Sequence, residues 1–448
     1  MSEIPSSVSI IDSASAEGGL SLISNPLLTE RILSSSSLNK VAVEDKGFHD
    51  WYRFILSFPP HLVKDYLVNR FQLSPGSLVL DPFCGTGTTV VEAKLNGFSG
   101  VGIEANNVAH LAGATKVNWT IDPQKLDLCA QKVVRICNEI YLSDSKLRSL
   151  EVEKEKLLLA NSISPKPLHK SLILKDVCSS VDCSTDIRNA LLVAFAKTLV
   201  FSASNLRFGP EVCVRGRKED APVFESWLEN VKQISADLRG LEGRVFPDSR
   251  IILADSRNMP GCLERSSVDA VFTSPPYPNE KDYTRTTRLE SVLLGFISSK
   301  EELRAIKKTL LRSNTRGVYK GDEDDVWVAK YQSINQIADE IERRRIELGK
   351  NSGFEKLYAR VTKLYFGGMA RHLSELRPFL KPGARLGYVV GDQASYLRVM
   401  IRTGELLAEI AKDLGYEVVS IDLFRTRIST VTKAYMREEV LVLRWPGQ

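Results

Sequence analysis

The stretch Ser77-Leu78-Val79-Leu80-Asp81-Pro82-Phe83-Cys84-Gly85-Thr86-Gly87-Thr88-Thr89, read with the apolar run at 100–103 and Glu104 behind it, decides the fold. The run at 77–80 predicts a strand, the glycines a tight turn, and 88–96 a helix. A second strand over 100–103 closes on Glu104. Strand, glycine turn, helix and acid-terminated strand make the first half of a doubly wound nucleotide-binding sheet. Small residues at such a turn let a ligand approach the backbone, and the helix start offers it free amides. A lone GxG also serves many ordinary turns. The acid, about 20 residues on, is what points to a ribose, because a carboxylate accepts both ribose hydroxyls. The third glycine of a dinucleotide site is absent.

The second decisive stretch is Ser274-Pro275-Pro276-Tyr277, at the end of a strand predicted over 268–273. Ligands of open α/β sheets bind at that edge. Two prolines hold the backbone, and a tyrosine beside them offers a face for a flat ligand. Taken alone, the tetrapeptide also reads as a rigid turn with a core tyrosine.

Together the two stretches carry a resemblance. Asp81 to Thr89 closely resembles the cofactor motif of the amino-methyltransferases of DNA, and Ser274-Pro275-Pro276-Tyr277 resembles their catalytic tetrapeptide. Phe58-Pro59-Pro60 within 53–68 looks like the segment that precedes the cofactor motif, and Val389-Val390-Gly391-Asp392 with Thr403-Gly404 also looks family-like. The resemblance covers about 50–105, 250–285 and 375–445. It implies S-adenosylmethionine as methyl donor and no metal. It places Asp81, Pro82, Phe83, Gly85, Gly87 and Thr88 around the cofactor, Glu104 on the ribose, Asp255 near the adenine and Phe58 beside the methionine part. Asp255 also reads as a strand-end cap, and Phe58 as a core phenylalanine. Ser274, Pro275, Pro276 and Tyr277 are the expected catalytic residues, with Tyr277 stacking on a base flipped out of the duplex. No cysteine adjoins the tetrapeptide, which argues against covalent attack on a cytosine ring.

Outward from these motifs, a strand is predicted at 250–254 before Asp255, a turn at Lys381-Pro382-Gly383, a strand at 386–390, a helix at 405–414 stopped by Gly415, and strands at 416–423 and 439–444. The alternation predicts an α/β, Rossmann-like methyltransferase sheet, seven-stranded and mostly parallel, with helical insertions and the last pair a reversed hairpin. Helical patterns open at Pro60 and occupy 147–159 and 224–241. The expected organisation is a mobile serine-rich tail at 1–45, a catalytic domain at 46–105 and 249–448, a helical insertion at 106–248, and a second insertion at 278–375 within the catalytic domain that reads the target. The first insertion is the alternative reader. Candidate phosphate contacts are Arg215, Arg217 and Lys218, then Lys281, Arg285 and Arg288, then Lys307, Lys308, Arg312 and Arg316; each cluster also reads as a solvated face.

The bulk properties agree with a nucleic-acid partner without demanding one. The 448 residues carry a net charge of +5, with 43% hydrophobic and 26% charged residues. The apolar run at 190–204 is interrupted by Lys197 and too short to span a bilayer, and no secretory pattern opens the chain. Seven cysteines without CxxC pairs and five scattered histidines predict a reduced, metal-free cytoplasmic protein. The expected function is methyl transfer to the exocyclic N4 amine of cytosine at specific DNA sites. The alternatives are adenine N6 in DNA, an RNA base, or a non-catalytic DNA-binding protein on this fold. DNA is the expected partner, with a cognate restriction endonuclease or another defence protein beside it, and no membrane.

Overall fold

The computed structural model describes residues 47–53, 58–208, 212–259, 261, 263–279, 281–428 and 435–447. The tail expected at 1–45 lies outside them, as does Cys262. The strands are β1 (Leu78–Asp81), β2 (Ser99–Glu104), β3 (Leu206–Phe208), β4 (Val212–Val214), β5 (Ser249–Leu253), β6 (Val268–Thr273), β7 (Leu380–Gly391), β8 (Glu417–Ile428) and β9 (Tyr435–Arg444). β3 and β4 pair with each other, and the other seven form one sheet in the order β5-β2-β1-β6-β7-β9-β8. β5, β2, β1, β6 and β7 pair in parallel, while β9 runs antiparallel to both β7 and β8. The expected α/β sheet with a reversed final hairpin is therefore what forms, with β9 inserted inside the edge strand.

Strands buried on both faces need continuous apolar runs, and β1 and β6 have them. Alternate residues then serve two cores. Val79, Phe272, Val389 and Val440 pack with Leu67 and Phe71 on one face. Leu80, Ile103, Val271 and Tyr388 pack with Phe366 and Met369 on the other.

The helices fill the connections. α1 (Pro60–Lys64) opens at its proline, as expected, and continues as a π-helix over Asp65–Arg70. α2 (Thr88–Leu95) links β1 to β2. Between β2 and β5 come α3 (Asn107–Val117), α4 (Pro123–Ser143), α5 (Val152–Glu155), α6 (Pro165–Ser180), α7 (Thr185–Thr198) and α8 (Val223–Arg239). All of these but α5 share a core that includes Trp51, Phe195 and Trp227. Between β6 and β7 come α9 (Tyr283–Thr286), α10 (Arg288–Leu293), α11 (Lys300–Thr309), α12 (Gln332–Glu347) and α13 (Tyr358–Leu376), and α14 (Thr403–Asp413) links β7 to β8. No helix of the described residues is long and apolar enough to cross a membrane.

Two local expectations change. The helix expected at 147–159 shrinks to α5, because Leu157 turns instead into a small cluster with Val292 and Ile297. The turn at Lys381-Pro382-Gly383 exists, but as a bulge inside β7. Val268 faces Leu380 while Ala270 already faces Arg385, so β7 loops out where Pro382 has no amide to give. Gly383 absorbs the bend at φ +86.

Candidate active site

β1 and β6 are neighbours, and the strand order reverses between them: β2 and β5 lie on one side, β7 and β9 on the other. Both decisive motifs leave the sheet at this switch point, where the ends of adjacent strands part and leave a crevice.

The glycine turn is shaped by close approaches. Gly85 and Gly87 take φ +52 and +88, and Gly87 precedes the first residue of α2, the buried Thr88. A Cβ on Gly87 would lie 3.2 Å from the Gly113 Cα, so α3 crosses hard against the turn. Glu104 ties the turn down: Oε2 accepts the Gly85 N–H at 2.8 Å and Oε1 accepts the Asn106 N–H at 2.7 Å. Burial raises its carboxyl to about 7. Each oxygen keeps a further lone pair for a ligand hydroxyl.

Asp81 ends β1 fully buried. Its Oδ1 accepts from the Thr273 hydroxyl at 2.5 Å and from the Phe83 N–H at 3.1 Å. Its Oδ2 is buried without a hydrogen-bond partner. Burial pushes this carboxyl up to about 6. An unsatisfied buried carboxylate oxygen is costly alone and suits a ligand cation. Pro82 is buried beside it, and Phe83 stands half-buried with its ring edge-on to His372 at 4.9 Å.

The Thr273–Asp81 bond joins the two motifs directly, since Ser274 is the next residue. The Ser274 hydroxyl donates to Val389 O at 3.1 Å. With its proton so placed, Oγ faces any further partner as an acceptor. Pro275 is buried and Pro276 half-buried. The Tyr277 ring lies against β7, where a Cβ on Gly391 would come 3.0 Å from its Cε2. Burial, reinforced by the Glu438 charge, holds its phenol well above the ordinary value.

Two predicted residues have firm structural partners. Phe58 is half-buried, edge-on to Phe272 at 5.9 Å, within the core beside α1. Asp255 is gripped by Arg257, with Nη2 at 2.7 Å and Nε at 3.0 Å, and Arg257 reaches on to Asp324 at 2.6 Å. The geometry favours the core and strand-end readings of these two.

A family model described as DNA methylase matches residues 28–113, which span the glycine turn and Glu104. The Type II methyltransferase M.BsoBI of Geobacillus stearothermophilus is 26% identical over 424 residues, covering 86% of this chain and 82% of that protein. The chain is similar to the DNA amino-methyltransferases. The Type II methyltransferase M.AvaI of Nostoc sp. strain PCC 7120 is 28% identical over 202 residues, covering 41% of this chain and 39% of its own length. Among solved structures, TrmN from Thermus thermophilus aligns with a TM-score of 0.29 and 11% identity over 89% of this chain and 52% of its own.

Several residues of this candidate site were not singled out from sequence. Thr273 bridges the motifs, Asn106 supports Glu104, and Gly113 admits the turn to α3. Only Gly113 left a trace, a glycine inside a helical pattern. His372, behind Phe83, is fully buried between Ser256 O at 3.0 Å and the Tyr388 hydroxyl at 2.9 Å, and burial lowers it to about 4. It is neutral at pH 7.

Part of the basic set is spent internally. Lys307 pairs with Asp282 at 2.7 Å, Arg312 grips Asp322 at 2.8 Å, and Arg288 binds the Thr284 hydroxyl at 3.0 Å and the Thr284 carbonyl at 3.2 Å. Lys218 donates to Ser202 O at 2.5 Å. These four hold loops together.

Proposed function

We propose that this chain transfers the methyl group of S-adenosylmethionine to the exocyclic N4 amine of cytosine at specific sites in DNA. The similarity to DNA methylases supports methylation of DNA; the base and the residues involved are our reading. The observation that carries it is the Thr273–Asp81 bond, which sets the serine of the tetrapeptide beside the cofactor turn. The pocket suits the cofactor. Asp81 Oδ2 would take the methionine ammonium, the spare lone pairs of Glu104 the ribose hydroxyls, and the turn would pass close along the ligand. S-adenosylmethionine supplies an electrophilic methyl group on a sulfonium.

An exocyclic amine is a weak nucleophile because its lone pair is delocalised into the ring. Ser274 Oγ, its own proton committed to Val389 O, would accept one amine hydrogen and the Pro275 carbonyl the other. That favours a tetrahedral nitrogen with its lone pair aimed at the methyl. The nitrogen gains the methyl as its bond to sulfur breaks, the sulfonium leaving as a neutral thioether, and then loses one proton to solvent, since a serine hydroxyl is too weak a base to remove it first. Tyr277 would stack on the flipped base. In the family that this chain resembles, serine at this position goes more often with cytosine and aspartate with adenine, which supports cytosine here. The relatives are type II methyltransferases, which supports a place in a restriction–modification pair with a cognate endonuclease as partner.

Ser274→Ala should keep cofactor binding in calorimetry and lose most turnover. Mass spectrometry of nucleosides from treated DNA should show N4-methylcytosine. N6-methyladenine in its place would overturn the choice of base.

A further inference from the structure

The segment leaving the tetrapeptide is tied back to the cofactor side of the site. Asp282 caps α9 through the Thr284 N–H at 3.0 Å and pairs with Lys307. Thr287, between α9 and α10, is fully buried. Its hydroxyl donates to Tyr283 O at 3.4 Å and accepts from Asn106 Nδ2 at 3.0 Å. Asn106 makes two further sets of bonds. Its Oδ1 caps α3 by accepting the N–H groups of Val108 and Ala109, at 3.0 and 3.1 Å. Its backbone N–H holds Glu104 Oε1 at 2.7 Å, while the other Glu104 oxygen holds Gly85. Hydrogen bonds thus run without a break from the glycine turn to the stretch that follows the catalytic motif.

We propose that Thr287 is a positioning residue of the cofactor pocket, acting through Asn106 to set the Glu104 carboxylate. The proposal rests on the cofactor reading given above. The Asn106 amide is held from both ends, by the α3 amides at oxygen and by Thr287 at nitrogen. Removing the Thr287 acceptor leaves a buried N–H unpaired, which the amide can relieve only by rotating off its cap. The backbone N–H on Glu104 moves with it.

Calorimetric titration of S-adenosylmethionine into the purified full chain tests this. Thr287→Val should bind about fivefold more weakly, the worth of one buried hydrogen bond, while still melting cooperatively a few degrees below wild type without ligand. Turnover at saturating cofactor should stay near wild type, so the loss falls on KM. Thr287→Ser should restore binding. Asn106→Ser breaks the same bond from the other side while keeping a capping hydroxyl, and it carries the comparison should the valine variant fold poorly. The double variant should be no weaker than the weaker single one. Wild-type affinity in Thr287→Val, a serine variant as weak as the valine one, or additive losses would overturn the proposal. A wild-type chain that binds no S-adenosylmethionine would overturn the cofactor reading itself, and Thr287's role with it.

Discussion

Asp81 and Glu104 are carboxylates that burial holds near pH 6 and 7 respectively. In an unfolded chain such groups titrate near ~4. Ionising them costs the folded state, so the ligand-free protein should lose stability as pH rises from about 4 to 7 and level off above. Ligand binding has the opposite sign. An ammonium at Asp81 and hydroxyls at Glu104 favour the ionised forms, so affinity for S-adenosylmethionine should fall as pH drops from 8 to 5.5. Below its own pKa, each group that must ionise weakens binding by up to about tenfold per pH unit. Glu104→Gln should bind more weakly and lose the step near 7, keeping the one near 6. A flat affinity profile in the wild type would remove both acids from the site. Both acids were legible in the sequence as strand-end residues beside a glycine turn. Their partners were not: nothing in the spacing of Thr273 from Asp81, or of Thr287 from Asn106, announces a hydrogen bond.

At the scale of elements, close backbone approach sets the position of Asp255 at the end of β5. α13 packs against the short 3-10 segment Asp324–Val328 so tightly that a Cβ on Gly367 would sit 1.8 Å from Asp324 O. Asp324 holds Arg257, and Arg257 holds Asp255. Gly367→Ala should therefore cost stability by about 1–3 kcal/mol or more through overpacking, and displace this network. Thermal melting should drop by several degrees. Gly353→Ala, where a Cβ meets nothing within 4 Å, is the control and should change neither. Unchanged melting in Gly367→Ala would show that the segment yields freely. The sequence marked helix and strand at most of these positions, but Lys381-Pro382-Gly383 read as a turn between elements. Whether a turn sequence ends a strand or bulges within it depends on pairing across β6 and β9, which local residues do not encode.

On the scale of the whole molecule, the sheet carries the proposed chemistry and the long connections are free to carry specificity. We expect target recognition in 278–375, which leaves the sheet from the catalytic tetrapeptide. α13, at its end, is part of the core: Tyr365, Phe366 and Met369 are fully buried against the sheet. An exchange with a relative of different specificity must therefore carry the whole crossover, α13 included. Sequencing of methylated host DNA should then find the modified motif changed to that of the donor. A motif that stays put would assign recognition to 106–248 instead.

By itself the sequence determined the fold class, the glycine turn with its strand-end acid, and the Ser-Pro-Pro-Tyr turn. Each of these is written in contiguous residues, because a strand-to-helix turn needs its glycines and prolines in place whatever surrounds it. Tertiary structure alone decided which strands are neighbours, and so brought Thr273 to Asp81 across a separation of 192 residues. It also decided which of several similar charges are committed. Arg257 and Arg312 are buried in ion pairs and Lys307 is half-buried in one, while Arg343 pairs with Glu340 on the exposed surface of α12. The distinction between a charge locked by a buried partner and one screened by water depends on burial, and burial is a property of the packed chain.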